Sequence, residues 1–171
     1  MFRKNTEHSQ GSILSPLFLL SEQKQKKLLN SEEQVFYELI FCKIKEEDFA
    51  SMYSDKESRP NAPINAMVSS LILMNRKSWT YEQLFNEIDF NILTRVALGL
   101  NTLEETPFCP ASIFNFQNRV NAYGIKTGIN LFEKVFDHLT EQELKALKLK
   151  TNIQRTDSFL AASNIRNFSR L

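Results

Sequence analysis

Polar residues in the segment that follows Pro110 have side chains suited to contacting DNA. They recur at a helical spacing opposite the apolar positions of the segment: Ser112, Asn115, Asn118 and Arg119. An asparagine side chain can bond adenine through two atoms, and an arginine can bond guanine or a phosphate oxygen. The spacing therefore indicates either a DNA-reading face or the ordinary solvated face of an amphipathic helix.

Basic residues elsewhere in the chain could contact nucleic-acid phosphates. Arg76 and Lys77 directly follow a long apolar segment, and Lys148, Lys150 and Arg155 lie in the basic C-terminal end. Such contacts position a protein on DNA without reading its sequence. The whole chain carries 21 basic and 20 acidic residues, so net charge favours neither a nucleic-acid nor a membrane partner. Solvated charge is the alternative interpretation of these residues.

Metal and thiol chemistry has few candidate residues in this sequence. The cysteines are Cys42 and Cys109, and the histidines are His8 and His138. A zinc site would need all of them, at spacings that match no zinc finger. We interpret the cysteines as reduced thiols in the core of a cytoplasmic protein. His138 is interpreted as a helix-end cation and His8 as part of a disordered start.

The elements that must position these side chains are helices. A chain of 171 residues suffices for one domain, or for one domain and part of a second. Its 4 glycines and 5 prolines leave few turns for a β-rich fold. Apolar spacing and capping boxes predict a mainly α bundle of short helices, some arranged like a helix-turn-helix. The predicted helices cover residues 32–43, 63–74, 80–88, 92–97, 110–123, 132–139 and 140–147.

The same pattern makes specific predictions about burial and helix ends. One stripe of the first helix should be buried: Val35, Phe36, Leu39 and Ile40. The helix over residues 63–74 has the widest apolar face, with Leu71 near its middle, and should be central. The acidic residues 46–48 are interpreted as the solvated face of a short helix. Gly99 and Gly124 should each end the helix that precedes them.

Residues 151–160 lack a helical stripe and include β-branched side chains, which predicts an extended strand. The chain offers no second strand to pair with it, so its edge would be left open. Asp157 lies in this segment. Taken by itself, it is best explained as a surface or capping carboxylate.

A series of short motifs follows in order between residues 59 and 120. They are Arg59-Pro60, Leu71-Ile72-Leu73-Met74, the run from Trp79 to Leu84, Leu98-Gly99-Leu100, and Phe114-x-x-Gln117-x-Arg119-Val120. In order and spacing, this region resembles the N-terminal domain of bacterial insertion-sequence transposases of the DDE class. The resemblance implies a helical domain that binds the ends of a mobile element.

A second resemblance lies at Gln154-Arg155-Thr156-Asp157-Ser158. In such transposases the helical domain is followed by the first strand of an RNase H-like core, which carries the first of three metal-binding carboxylates. Asp157 has that position, so the resemblance implies a role as a catalytic ligand of Mg²⁺. The second Asp and the final Glu have no counterpart here. We therefore expect a truncated chain that neither binds Mg²⁺ tightly nor cuts DNA by itself.

Together the motifs predict three parts: an N-terminal segment (1–30), a helical transposase domain (31–149) and the start of a catalytic domain (150–171). The expected partner is double-stranded DNA at terminal inverted repeats, with a second copy or a full-length transposase as a further partner. The alternative functions are a helical protein-interaction module and an inhibitory fragment that pairs with intact transposase. The apolar stretches are too short to span a membrane, so we expect no membrane partner and a bacterial cytoplasmic location.

Overall fold

The structure, a computed structural model, describes residues 1–9, 15, 20–54, 60–100, 102 and 106–146. These residues are mainly helical, as predicted, and none of them forms a strand. The α-helices are α1 (Glu22–Leu29), α2 (Glu32–Leu39), α3 (Ile64–Lys77), α4 (Tyr81–Phe90), α5 (Ile92–Ala97), α6 (Pro110–Thr127) and α7 (Leu131–Ala146). Short 3₁₀ helices cover Glu7–Ser9, Phe41–Lys43 and Glu46–Met52. The predicted strand over residues 151–160 lies outside the described residues.

The central position predicted for the helix over residues 63–74 is confirmed. This helix, α3, buries its whole first half, and Leu73 just past its middle is 2% exposed. Leu71 is only partly buried, because it lies two residues away from Leu73 on the other side of the helix. Residues Met1–Leu139 form one compact unit around this core. A second unit begins at Thr140, and the structure describes its residues 140–146 as the last turns of α7.

The first predicted helix is shorter than its pattern indicated, and one prediction about its stripe is wrong. Helix α2 ends at Leu39, and the chain then tightens into the 3₁₀ helix Phe41–Lys43. This turn moves Phe41 into the core, where it is fully buried. Phe36 is also buried, whereas Val35 is 48% and Leu39 is 49% exposed. This segment therefore contributes Phe36 and Phe41 to the core, whereas Val35 and Leu39 of the predicted stripe are about half exposed.

The interpretation of residues 46–48 as a solvated acidic face is wrong for Glu46, which is 2% exposed. Its Oε1 accepts hydrogen bonds from the backbone N–H groups of Ile64 at 3.0 Å and Asn65 at 3.1 Å. The first N–H groups of an α-helix have no partner within the helix, and Pro63 at the N-cap supplies no side-chain acceptor. Glu46 therefore caps α3 from a distant segment, with its charge at the positive end of the helix dipole.

Residues 2–8, which we call the N-terminal strap, lie across the start of α3 and the end of α2. The backbone N–H of Asn5 donates to Oε2 of Glu46 at 2.7 Å, and its side chain donates to Asn65 at 2.9 Å. The His8 ring meets the Phe41 ring edge-on, with centroids 5.0 Å apart. Its Nδ1 lies 3.0 Å from the Tyr37 hydroxyl. The expectation of a disordered His8 is therefore wrong, since the ring contacts the aromatic edge of the core.

Glycines end two of the helices, one of them at an unpredicted position. Gly99 has φ +64° and follows α5 as expected, and a Cβ there would lie 2.5 Å from the Phe41 ring. Helix α6 continues through Gly124 to Thr127, and Gly128, whose φ is +74°, caps its end. The predicted stop at Gly124 is wrong because this residue keeps helical geometry within the chain's longest described helix.

The predicted break between residues 139 and 140 is absent from α7, which runs unbroken from Leu131 to Ala146. Its start is set by Asn130, whose Oδ1 accepts hydrogen bonds from the N–H groups of Phe132 and Glu133. A capping signal has no effect inside a helix that is already propagating, because the backbone donors there have intrahelical partners. The capping box that Thr140 forms with Glu143 in the sequence therefore does not start a new helix.

Candidate nucleic-acid interface

The first turn of α6 explains the position of Ser112. Pro110 occupies the start of the helix, where its missing N–H costs little. The Ser112 hydroxyl accepts a hydrogen bond from the backbone N–H of Cys109 at 3.3 Å and lies 3.4 Å from the Cys109 sulfur. This contact with Ser112 lowers the pKa of Cys109. Ser112 is thus a half-buried capping residue as well as a candidate DNA contact.

Both cysteines are free, but the prediction that they lie in the core is wrong. Cys42 and Cys109 are exposed. Cys42 follows Phe41 in a 3₁₀ helix, whose tight turn places Phe41 inside and leaves its neighbour outside. Cys109 is at the N-cap of α6, which is a surface position.

Helix α6 presents a long polar face to solvent. Its buried side consists of Ile113, Phe116 and Val120, as predicted. The exposed side carries polar residues, both predicted and further ones: Asn115, Asn118, Arg119, Asn121 and Lys126. The apolar Phe114 and Ile125 are exposed among them. None of the 18 residues of α6 is acidic. An exposed helix face with amides and cations but no carboxylates is suited to lie against a polyanion.

Arg119 is held over an aromatic ring. Its guanidinium carbon lies 5.4 Å from the ring centroid of Tyr53, within the distance of about 6 Å typical of a cation–π contact. The Tyr53 ring in turn packs 6.3 Å from the ring of Phe2 in the N-terminal strap. Burial raises the pKa of Tyr53 despite the opposing charge of Arg119. The phenol therefore stays neutral near pH 7, and the ring restricts Arg119 to one part of the surface.

The start of α4 packs directly on the exposed side of α6. The Tyr81 and Phe114 ring centroids are 4.5 Å apart, and the Tyr81 hydroxyl donates to Oε1 of Gln117 at 2.9 Å. Phe114 remains 46% exposed. These contacts join the first turn of α4 to the first half of α6.

Helices α3 and α4 form a pair of consecutive helices. The turn between them is short and includes Ser78, whose φ of 56° is in the left-handed region. Helix α4 begins with the predicted capping box, in which Thr80 and Gln83 bond each other's backbone N–H groups. Its exposed residues include Glu82 and Asp89. Acidic side chains would repel phosphates, so the second helix of this pair is a poorer candidate for DNA contact than α6.

The predicted phosphate contacts Arg76 and Lys77 lie at the C-terminal end of α3, where cations interact favourably with the helix dipole. Both form ion pairs with α2. The Arg76 guanidinium bonds Glu32, and the Lys77 amine lies 3.4 Å from Glu32 and 3.9 Å from Glu33. These carboxylates reduce the positive potential that Arg76 and Lys77 present to a ligand. Arg119 has no such acidic neighbour among the described ion pairs.

The remaining predicted site residues lie outside the described part of the chain: Lys148, Lys150, Arg155 and Asp157. Within the described residues, no group of His, Cys, Asp and Glu side chains could hold a metal ion. No described helix is both long and apolar enough to cross a lipid bilayer.

Sequence reasoning missed the residues that support the polar face of α6. Asn121 and Lys126 could have been found, because they continue the spacing of Asn118 by one and two turns. Tyr53 and Tyr81 carry no such signal, since their contacts join segments far apart in the chain. The buried Arg95 was also missed: its guanidinium donates to the backbone oxygens of Ile88 and Thr102, a loop-fixing role that spacing cannot indicate.

Comparison with known protein families identifies the class of this helical unit. Residues 21–119, from the residue before α1 to Arg119 in α6, match the family described as Transposase domain (DUF772). The match covers more than half of the 171 residues. The chain therefore belongs to this transposase-domain family. Neither the curated proteins nor the solved structures include a significant match.

Proposed function

We propose that the chain is the DNA-binding N-terminal part of an insertion-sequence transposase and that α6 faces the DNA. The observation that carries this proposal is the exposed polar side of α6, which has amides, Arg119 and Lys126 but no carboxylate over its 18 residues. Membership of the transposase-domain family supports it, because transposases act on the ends of mobile elements. We propose terminal inverted repeats as the DNA partner.

The side chains of α6 divide into two kinds of contact. Arg119 and Lys126 are suited to phosphates, which supply affinity without reading sequence. Asn115 and Asn118 are one turn apart at spacing i, i+3, so both can reach base edges from one helix face. Arg76 and Lys77 would add phosphate contacts only if DNA competes with Glu32 and Glu33 for them. We therefore assign the larger share of binding to α6.

Equilibrium binding to labelled duplexes tests this assignment. The wild type is compared on a duplex with the terminal repeat of the encoding element and on a scrambled duplex, over a series of salt concentrations. Arg119→Gln with Lys126→Gln should weaken binding to both duplexes and reduce the salt slope by about 0.9 for each lost phosphate contact. Asn118→Ala should reduce the preference for the repeat, since a bidentate base contact contributes about 1–3 kcal/mol of discrimination.

Asn86→Ala is the matched control, because Asn86 is an exposed asparagine on the acidic helix α4. It should leave affinity, preference and salt slope unchanged. If the α6 variants have the salt slope and preference of the wild type, α6 is not the DNA surface. If Asn86→Ala has the larger effect, the surface is on α4.

A wider assignment follows from the resemblance to DDE transposases. We propose that Asp157 is the first carboxylate of a Mg²⁺ site of the kind that supports phosphodiester cleavage and strand transfer in complete enzymes. The proposed role requires access to element DNA, so we also propose a bacterial cytoplasmic location. Titration with Mg²⁺ of the chain and of its Asp157→Asn variant tests the metal assignment: with a single carboxylate the unaltered chain should bind the cation only weakly, and the variant should lose that weak binding.

A further inference from the structure

Phe90, the last residue of α4, is the most exposed large apolar side chain of the described residues, at 83%. It lies on one face of α4 with three polar residues that are also exposed: Glu82, Gln83 and Asn86. An isolated exposed Leu or Phe needs no explanation. Phe90 is different because an apolar groove begins only two residues further along the chain.

The groove lies between α1 and α5. Its apolar floor is made by Leu20, Leu28, Ile92 and Leu93, with Lys24 and Lys27 at its edge. Its volume is about 420 Å³, and a cavity of roughly 150 Å³ is sufficient for a benzene ring. The groove can therefore hold a phenylalanine side chain. The Phe90 ring of the same chain is directed to solvent and does not fill it.

We propose that this groove binds Phe90 of a second copy of the chain and that the two copies exchange Phe90 side chains in a symmetric dimer. This inference concerns self-association and does not depend on the proposed DNA contact. In a twofold interface each copy contributes the same surface patch. The patch proposed here holds both the inserted Phe90 ring and the groove that receives it, so two copies can each insert a ring into the other. The dyad would pass between Phe90 and Leu93.

The charges around the ring and the groove are complementary. Helix α1 carries Lys24, Lys26 and Lys27 against one acidic residue, Glu22. Helix α4 has three acidic residues and no basic one. Among the described residues, Lys24, Lys27 and Glu82 form no ion pair within their own chain. The acidic residue on the face of α4 that carries Phe90 is Glu82. A second copy would therefore bring this carboxylate against the basic edge of the groove, which favours a partner surface that carries an exposed carboxylate.

Sedimentation velocity of the full chain over a concentration series tests the proposal. We expect the wild type to shift from monomer to dimer as concentration rises. Phe90→Ser should lose this shift, because it removes the inserted ring. Since Phe90 makes little contact within its own chain, the variant should keep the wild-type melting temperature at the lowest, monomeric concentration. Ile125→Ser is the matched control: Ile125 is 80% exposed on α6, and its loss should leave the dimer unchanged.

Reversing the charges of the groove edge and of the α4 face tests two points together: that the partner is a second copy of the chain, and that these two patches face each other. Lys24→Glu with Lys27→Glu should prevent self-association, and so should Glu82→Lys with Asn86→Lys, because each variant then presents like charges on both patches. An equimolar mixture of the two variants should recover the dimer, since each groove again meets a face of opposite charge. A wild type that stays monomeric, a dimer that survives Phe90→Ser, or a mixture that does not associate would overturn the proposal.

Discussion

The contact of Arg119 with Tyr53 predicts that Tyr53 restricts a cation that we propose contacts DNA. Tyr53→Leu removes the ring 5.4 Å from the guanidinium carbon but keeps an apolar side chain. We expect it to weaken DNA binding about as much as Arg119→Ala, because an unrestrained arginine loses more side-chain entropy on binding. Tyr53→Phe keeps the ring and should bind like the wild type. Competition binding with the four proteins measures the effect.

Double substitution separates this role from a general loss of structure. If Tyr53 acts through Arg119, Tyr53→Leu should have no further effect in the Arg119→Ala background, although each change alone weakens binding. Equal additional losses in both backgrounds would show that Tyr53 supports the fold instead. If Arg119→Ala binds DNA as tightly as the wild type, the proposed DNA face itself is wrong. The result would then not bear on the contact between Tyr53 and Arg119.

Single residues were predictable from sequence where their neighbours in the chain determine their environment. Asn115, Asn118 and Arg119 lie on an exposed helix face because Ile113, Phe116 and Val120 fix the opposite one. Glu46 was not predictable, because its partners are the first N–H groups of a helix 18 and 19 residues further on. Local charge patterns favour a solvated carboxylate, and only the tertiary fold shows that this one is buried.

At the scale of the elements, α3 contributes most to the core, and its two central leucines should differ. Leu73 is 2% exposed, so Leu73→Ala should reduce the free energy of unfolding by about 2–5 kcal/mol. Leu71 is partly buried and should cost less, on the order of 1 kcal/mol. Urea unfolding of both variants measures the difference. Equal losses of unfolding free energy, or a larger loss for Leu71→Ala, would mean that Leu73 is not the leucine of α3 that faces the core.

Helix starts were more predictable than helix ends. The Thr80/Gln83 capping box is present as predicted, because its two reciprocal hydrogen bonds involve only nearby residues. The end of α2 was placed four residues too late, since the turn into Phe41–Lys43 depends on where the phenylalanine ring fits the core. The stop of α6 was placed at the wrong glycine. A glycine permits left-handed geometry at a helix end without requiring it.

At the scale of the whole molecule, the family was predictable because its motifs are distributed in order along one domain. The match to the transposase-domain family covers residues 21–119, and the motifs quoted between residues 59 and 120 fall within it except for Val120. Motif order does not determine the proposed DNA preference or the proposed metal site. Both depend on which side chains face one another in space.

The number of available carboxylates leads to a prediction about catalysis. Asp157 is the only acidic residue after Glu143, whereas two-metal cleavage needs several carboxylates to hold cations about 3.5–4 Å apart. We therefore expect this 171-residue chain not to nick supercoiled plasmid DNA with either Mg²⁺ or Mn²⁺. Agarose electrophoresis of the plasmid measures nicking. Metal-dependent nicking that disappears in Asp157→Ala would contradict the prediction and would mean that other carboxylates complete the site.

The N-terminal strap also has a consequence for the order of events during synthesis. Arg3 exchanges hydrogen bonds with Asn61, 58 residues later, and Asn5 donates to Asn65, 60 residues later. At translation rates of about 5–20 residues per second, these partners are made roughly 3–12 s after the strap itself. The strap therefore lacks these hydrogen-bond partners for several seconds after its own synthesis, and until its ring partner Tyr53 is also made, Phe2 is available to chaperones.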